Sequence, residues 1–133
     1  MKTLEIIGCL LAIIVVSHAY DSYRAVQFKR YLGECSEALN KTLVLASPGP
    51  ELFICALQKD GQIFDDEGVM QQGAMRKFIT DVTPNESEVE FSWHVLDICC
   101  SNADSLEFPS MVKMTYVYNC IIPIVSNFKL DMD

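Results

Sequence analysis

Glu51-Leu52-Phe53-Ile54-Cys55 carries an apolar helical pattern into a cysteine. A second stretch, Met111-Val112-Lys113-Met114-Thr115-Tyr116-Val117-Tyr118-Asn119-Cys120, does the same and runs on into Ile121-Ile122-Pro123. The adjacent pair Cys99-Cys100 lies between them and Cys35 lies upstream. Cysteines placed on the apolar faces of amphipathic helices read as staples of a small helical domain.

The chain around these stretches is 133 residues long, enough for one domain. Its beginning reads differently from the rest. Lys2 is followed by an apolar run from Ile6 to Val16, and Ser17-His18-Ala19 sets small residues where a signal peptidase cuts. Residues 1–19 are expected to be a secretory signal, because the run is too short to span a bilayer. The mature domain is then residues 20–133, with no further membrane insertion. Cys9 leaves with the signal, so five of the six cysteines remain. In an oxidising compartment that is two bridges and one spare thiol, with the pairing open. The net charge is −8, and it stays so after cleavage because Lys2 and Glu5 leave together. Such a surface repels nucleic acid and anionic headgroups and suits a protein that stays dispersed in fluid. Asn40-Lys41-Thr42 and Asn85-Glu86-Ser87 are glycosylation sequons.

Helical periodicity and stop signals divide the mature chain. Ser22 to Asn40 predicts a first helix, capped by Asp21 or Ser22, with Val26, Phe28, Tyr31, Leu32, Cys35 and Leu39 as its apolar stripe. Ser47-Pro48-Gly49-Pro50 is a turn, and Pro50 suits the first position of a second helix that runs to about Lys59. Asp65-Asp66-Glu67 is expected to open a third helix through Ile79, with acids where the helix dipole favours them. Thr83-Pro84-Asn85-Glu86 reads as a capping box for a fourth, which Ser101-Asn102-Ala103-Asp104 is expected to break. Pro109 begins a fifth through Cys120, and Ile124 to Leu130 is a short sixth or a packed tail. The fold class is all-α: a compact bundle of five or six helices around an apolar cavity, stapled by two disulfides.

This pattern resembles the insect odorant-binding proteins, the general odorant- and pheromone-binding group. That family spaces its second and third cysteines by three residues and its fifth and sixth by eight. With Cys55 as third and Cys120 as sixth, the second and fifth positions fall on Glu51 and Met111. Both missing cysteines belong to one bridge, as in a reduced-cysteine subgroup. The segment Cys55 to Gly68 also resembles the family, and the likeness covers Cys35 to Cys120. Fifteen residues between Cys35 and Glu51 are fewer than the family has, so its second helix would be reduced to Leu43–Ser47 or absent. The resemblance implies bridges Cys35–Cys55 and Cys100–Cys120. Cys99 competes for the latter, and Cys100 is preferred because it follows Leu96 by one helical turn. The thiol left over would be buried and unreactive, or would form an intermolecular bridge. Each bridge closes a loop of about 20 residues, worth roughly 3 kcal/mol by chain entropy. Met111 would fill the space of the lost bridge.

The implied function is a secreted, extracellular carrier that binds odorants, pheromones or other small hydrophobic molecules and takes them through aqueous fluid. Its partners would be the apolar ligand and a membrane chemoreceptor, and its state monomer or weak dimer. The alternatives are a secreted protein-interaction module on the same scaffold and a carrier of non-odour lipids in haemolymph or reproductive fluid. The candidate ligand-binding residues are Tyr31, Met70, Phe78, Trp93, Tyr116 and Phe128, with Met75 and Tyr118 beside them. His94 is the sole histidine of the mature chain and is expected to be exposed, although a histidine can act as a pH switch. Asp131 and Asp133 could titrate and release the tail from Ile121 to Leu130.

No enzyme, cofactor or metal is expected. The paired cysteines are not followed by the histidine and aspartate of secreted phospholipases. Asp60 to Gly68 puts Phe64 and Gly68 where a calcium loop needs oxygen ligands. One histidine without a cysteine cluster makes no zinc site.

Overall fold

In a computed structural model of the protein, the described residues are 20–130. The expected signal sequence and the terminal Asp131 and Asp133 lie outside the described residues. Among the described residues five α-helices follow one another: α1 (Ser22–Leu39), α2 (Pro50–Asp60), α3 (Gln72–Val82), α4 (Glu86–Ser105) and α5 (Ser110–Val125). Among the described residues none is long and apolar enough to cross a membrane.

The first two helices begin and end for the reasons their sequences advertise. The Asp21 side chain accepts from the Arg24 amide at the start of α1, and Asn40 closes it in the left-handed conformation at φ 53°. Pro50 opens α2, and Gly61 closes it at φ 79°.

Boundaries further along the chain differ from expectation. The acidic run Asp65-Asp66-Glu67 does not open α3. The Asp65 carboxylate accepts from the Glu67 and Val69 amides at 2.9 Å each, Gly68 takes φ 80°, and Phe64 pairs with Met70 across the turn. A short acidic side chain can satisfy turn amides as readily as a helix N-terminus, so α3 starts only at Gln72. Asn85, not Thr83, caps α4, its side chain accepting from the Ser87 amide. Finally, Ser101 to Asp104 does not break α4. Ala103 there is fully buried while Ser101, Asn102 and Asp104 face solvent, so the segment is one more amphipathic turn.

Two bridges tie the helices in pairs. Cys35–Cys55 joins α1 to α2, as expected. The second is Cys99–Cys120, between α4 and α5, which corrects the assignment of Cys100. Leu96 is no guide here, because residues three and four positions on both share its face. Successive helical positions lie about 100° apart, so only one of the two cysteines can meet Cys120. Cys100 remains a free, buried thiol, and burial pushes its pKa up to about 11. Replacing Cys100 with alanine should therefore leave both bridges in place. Cys99→Ala should lose one bridge and roughly 3 kcal/mol of stability. Thiol titration in denaturant distinguishes the two variants. A Cys99→Ala protein that still holds two bridges would mean that Cys100 pairs with Cys120.

The core lies where the inner faces of the five helices meet. Phe53 of α2 stands in its middle, with ring centroids 5.2 Å from Phe28, 6.3 Å from Phe78, 4.5 Å from Tyr118 and 6.5 Å from Phe128. Helix α5 continues through Pro123 to Val125, and the chain then folds back. The Lys129 amide donates to the Val82 carbonyl, which seats Phe128 and Leu130 against the bundle. The fifth helix thus runs past Cys120 and takes in Ile124 and Val125, and the expected packed tail is confined to the residues from Ser126 onward.

Candidate functional site

The six residues expected to bind ligand do not converge. Phe78 and Phe128 meet in the central nest, 6.0 Å apart, and each also contacts the ring of Phe53. Met70 belongs to the same core, at the turn before α3. The other three stand on separate faces. The half-buried ring of Tyr31 lies 5.6 Å from the Arg30 guanidinium. Trp93 is covered by the Arg76 guanidinium at 4.7 Å and donates from Nε1 to the Thr80 hydroxyl. Tyr116 packs beside Phe108, 5.6 Å away. Among the described residues, rings in mutual contact occupy the centre of the bundle. Tyr118, fully buried there, donates its hydroxyl proton to the Pro48 carbonyl, and burial pushes its pKa up to about 12.

An apolar opening lies elsewhere. A groove of about 480 Å³ runs between the end of α1, the face of α2 and the start of α5. Leu39, Pro50, Ile54 and Met111 form its apolar lining, and Glu51, Gln58 and Thr115 bring the polar atoms. Each helix contributes for a local reason. Pro50 starts α2 so that Glu51, Ile54 and Gln58 fall on one face at helical spacing. The Cys35–Cys55 bridge holds that face beside the last turn of α1 and places Leu39 at the edge. Met111 and Thr115, four apart on α5, form the opposite wall. Lys41 pairs with Glu51 at 3.3 Å on the rim.

Met111 does not plug this space: it is 54% exposed and lines the opening. Glu51 and Met111, singled out by spacing as a pair lacking cysteines, nonetheless do share one site. The rest of the lining was missed because Leu39, Ile54 and Thr115 read as ordinary positions on three helices distant in sequence.

A second concentration of chemistry lies at the other end of α1. The Arg24 guanidinium donates to both Asp60 oxygens, from Nε at 3.1 Å and Nη2 at 2.7 Å, and to Asp81 at 2.8 Å. Burial works against its charge, but the bonds to Asp60 and Asp81 outweigh that and raise its pKa. Lys77 reaches Asp81 from solvent at 2.9 Å. With every charge matched, this network joins α1, α2 and α3. His94, by contrast, is exposed, as expected. Among the described residues no group of histidines, cysteines and carboxylates is arranged to hold a metal ion.

Comparison with known proteins decides the family. Residues 34–125, well over half of the chain, match the ant venom allergen Sol i 2 family. The chain belongs to that family. This overturns the assignment to the odorant-binding proteins, the resemblance on which the odorant, pheromone and chemoreceptor expectations rested. The match begins one residue before Cys35 and ends at the last residue of α5, so it spans both disulfides and the groove of this Sol i 2 family member. No curated protein and no solved structure matches the chain. The chain's two disulfides and the family's venom allergen name are consistent with a secreted protein.

Proposed function

We propose that this protein is a secreted, non-catalytic carrier of small hydrophobic molecules, and that the groove between α1, α2 and α5 is where it holds them. The single observation that carries the reading is the groove itself: about 480 Å³, lined by Leu39, Pro50, Ile54 and Met111, with only Glu51, Gln58 and Thr115 to orient a polar end. Ligand sites run to about 300–1,000 Å³ and combine apolar walls with a few placed polar groups. The net charge of −8 keeps such a carrier dispersed in fluid, and the venom allergen name of the family fits a secreted protein.

Magnitudes set the expected affinity. Each methylene taken from water contributes about 0.8 kcal/mol. An open groove covers a ligand on one side, so association costs leave dissociation constants of roughly 1–100 µM. The test is titration of the mature protein with a fluorescent apolar probe, followed by displacement with alcohols, esters and fatty acids. Met111→Glu, at an exposed position, should weaken probe binding by about tenfold while the fold is kept. Saturable binding that ignores Met111→Glu would move the site elsewhere. No saturable binding at all would exclude a carrier and favour a protein-interaction module.

A further inference from the structure

The end of α1 holds a feature that packing explains only in part. Asn40 follows Leu39 as the left-handed cap of the helix, a conformation that asparagine tolerates better than most residues. The cap accounts for Asn40. It does not account for Thr42, whose side chain is exposed and makes no hydrogen bond among the described residues. The Asn40 side-chain amide is likewise exposed and unbonded among the described residues, since the cap uses only its backbone N–H. The other sequon differs. Asn85 Oδ1 accepts from both the Ser87 amide and the Ser87 hydroxyl, so helix capping alone explains both of its polar positions.

The surroundings of Asn40 add a second reason. Leu39 is 43% exposed and Val44 is 55% exposed, so apolar surface flanks the asparagine on both sides along the chain. A sugar attached to the exposed Asn40 side chain would extend into open solvent, displacing no packed side chain.

We propose that Asn40 carries an N-linked glycan. The donor is a lipid-pyrophosphate-linked oligosaccharide of the secretory lumen. Asn40 Nδ2 forms the new bond to the anomeric carbon, and the bond from that carbon to the pyrophosphate oxygen breaks. The electron pair leaves with the lipid pyrophosphate, and the amide proton passes to a base of the transferase. Oδ1 and the backbone cap are untouched, so the modified residue keeps its place at the end of α1. The inference does not depend on whether the groove holds a ligand.

The experiment is secretion of the full chain from insect cells, followed by peptide mapping before and after digestion with an amidase that removes N-glycans. The expected result is a glycan on the peptide containing Asn40, an aspartate at that position after digestion, and a matching loss of mass and gain in gel mobility. Thr42→Ala should abolish the glycan while leaving the cap intact. Asn40→Gly, which keeps the left-handed turn, should do the same, so loss of sugar cannot be mistaken for misfolding. An unmodified Asn40 in protein secreted through a glycosylating pathway, or a glycan confined to Asn85, would overturn the proposal.

Discussion

Arg24→Ala is expected to lower the free energy of unfolding by about 3–5 kcal/mol, the range found when one partner of a buried ion pair is removed. The Arg24 side chain is 9% exposed, and the Asp60 and Asp81 side chains are 6% and 4% exposed. Deleting the guanidinium removes three charge-assisted hydrogen bonds at once. Asp81 keeps Lys77, but Asp60 is left without its cationic partner in a place water barely reaches. The penalty comes mainly from that stranded carboxylate rather than from the attraction lost. A paired replacement should therefore do less harm. Arg24→Met combined with Asp60→Leu should recover a large part of the loss, because no charge is then buried without a partner. Urea unfolding at neutral pH, with both disulfides intact, gives the comparison. A loss under about 1 kcal/mol for Arg24→Ala would show the network to be solvated and of surface strength.

Phe53→Ala is expected to cost about 3–5 kcal/mol, the usual range for a large aromatic truncated inside a packed core. Four rings surround Phe53, and two of them, Phe78 and Phe128, also face each other. Phe28, Phe78 and Tyr118 sit on three helices and Phe128 on the returning tail, so they cannot all collapse onto an alanine without moving the backbone. The variant should therefore keep an apolar cavity at the centre of the bundle. Such cavities stay dry and take up small aromatic guests. Added benzene should raise the midpoint of thermal unfolding of Phe53→Ala and leave that of the parent protein unchanged. Phe53→Leu, which keeps most of the volume, should lose less than half as much stability as the alanine variant. Little destabilisation by Phe53→Ala would mean that the rings do not hold the helices together.

How much of this was legible before the structure depends on the range of the interactions involved. The extents of α1 and α2 were, because Asp21, Asn40, Pro50 and Gly61 act on their own neighbours. So was the Cys35–Cys55 bridge, through cysteine spacing compared across families, although the family named on that comparison was not the one the chain belongs to. The Asp65 turn and the unbroken end of α4 were not. In each, the same polar residues serve two local structures equally well, and contacts from distant segments choose between them. The six proposed ligand residues are spread over the fold for a related reason: being aromatic or soft says that a side chain will find apolar company, not which company.

The sequence by itself determined that the chain is helical, where most helices start, and that a pair of bridges would staple them. Those properties follow from neighbours along the chain and from the periodicity of apolar residues. Only the tertiary structure decided that Cys99 rather than Cys100 meets Cys120, that the rings close on one another around Phe53, and that Leu39, Ile54 and Met111 leave a groove between them. Each of these depends on the rotation of one helix against another. That rotation is set by the packing of all five helices at once, and no single stretch of sequence encodes it.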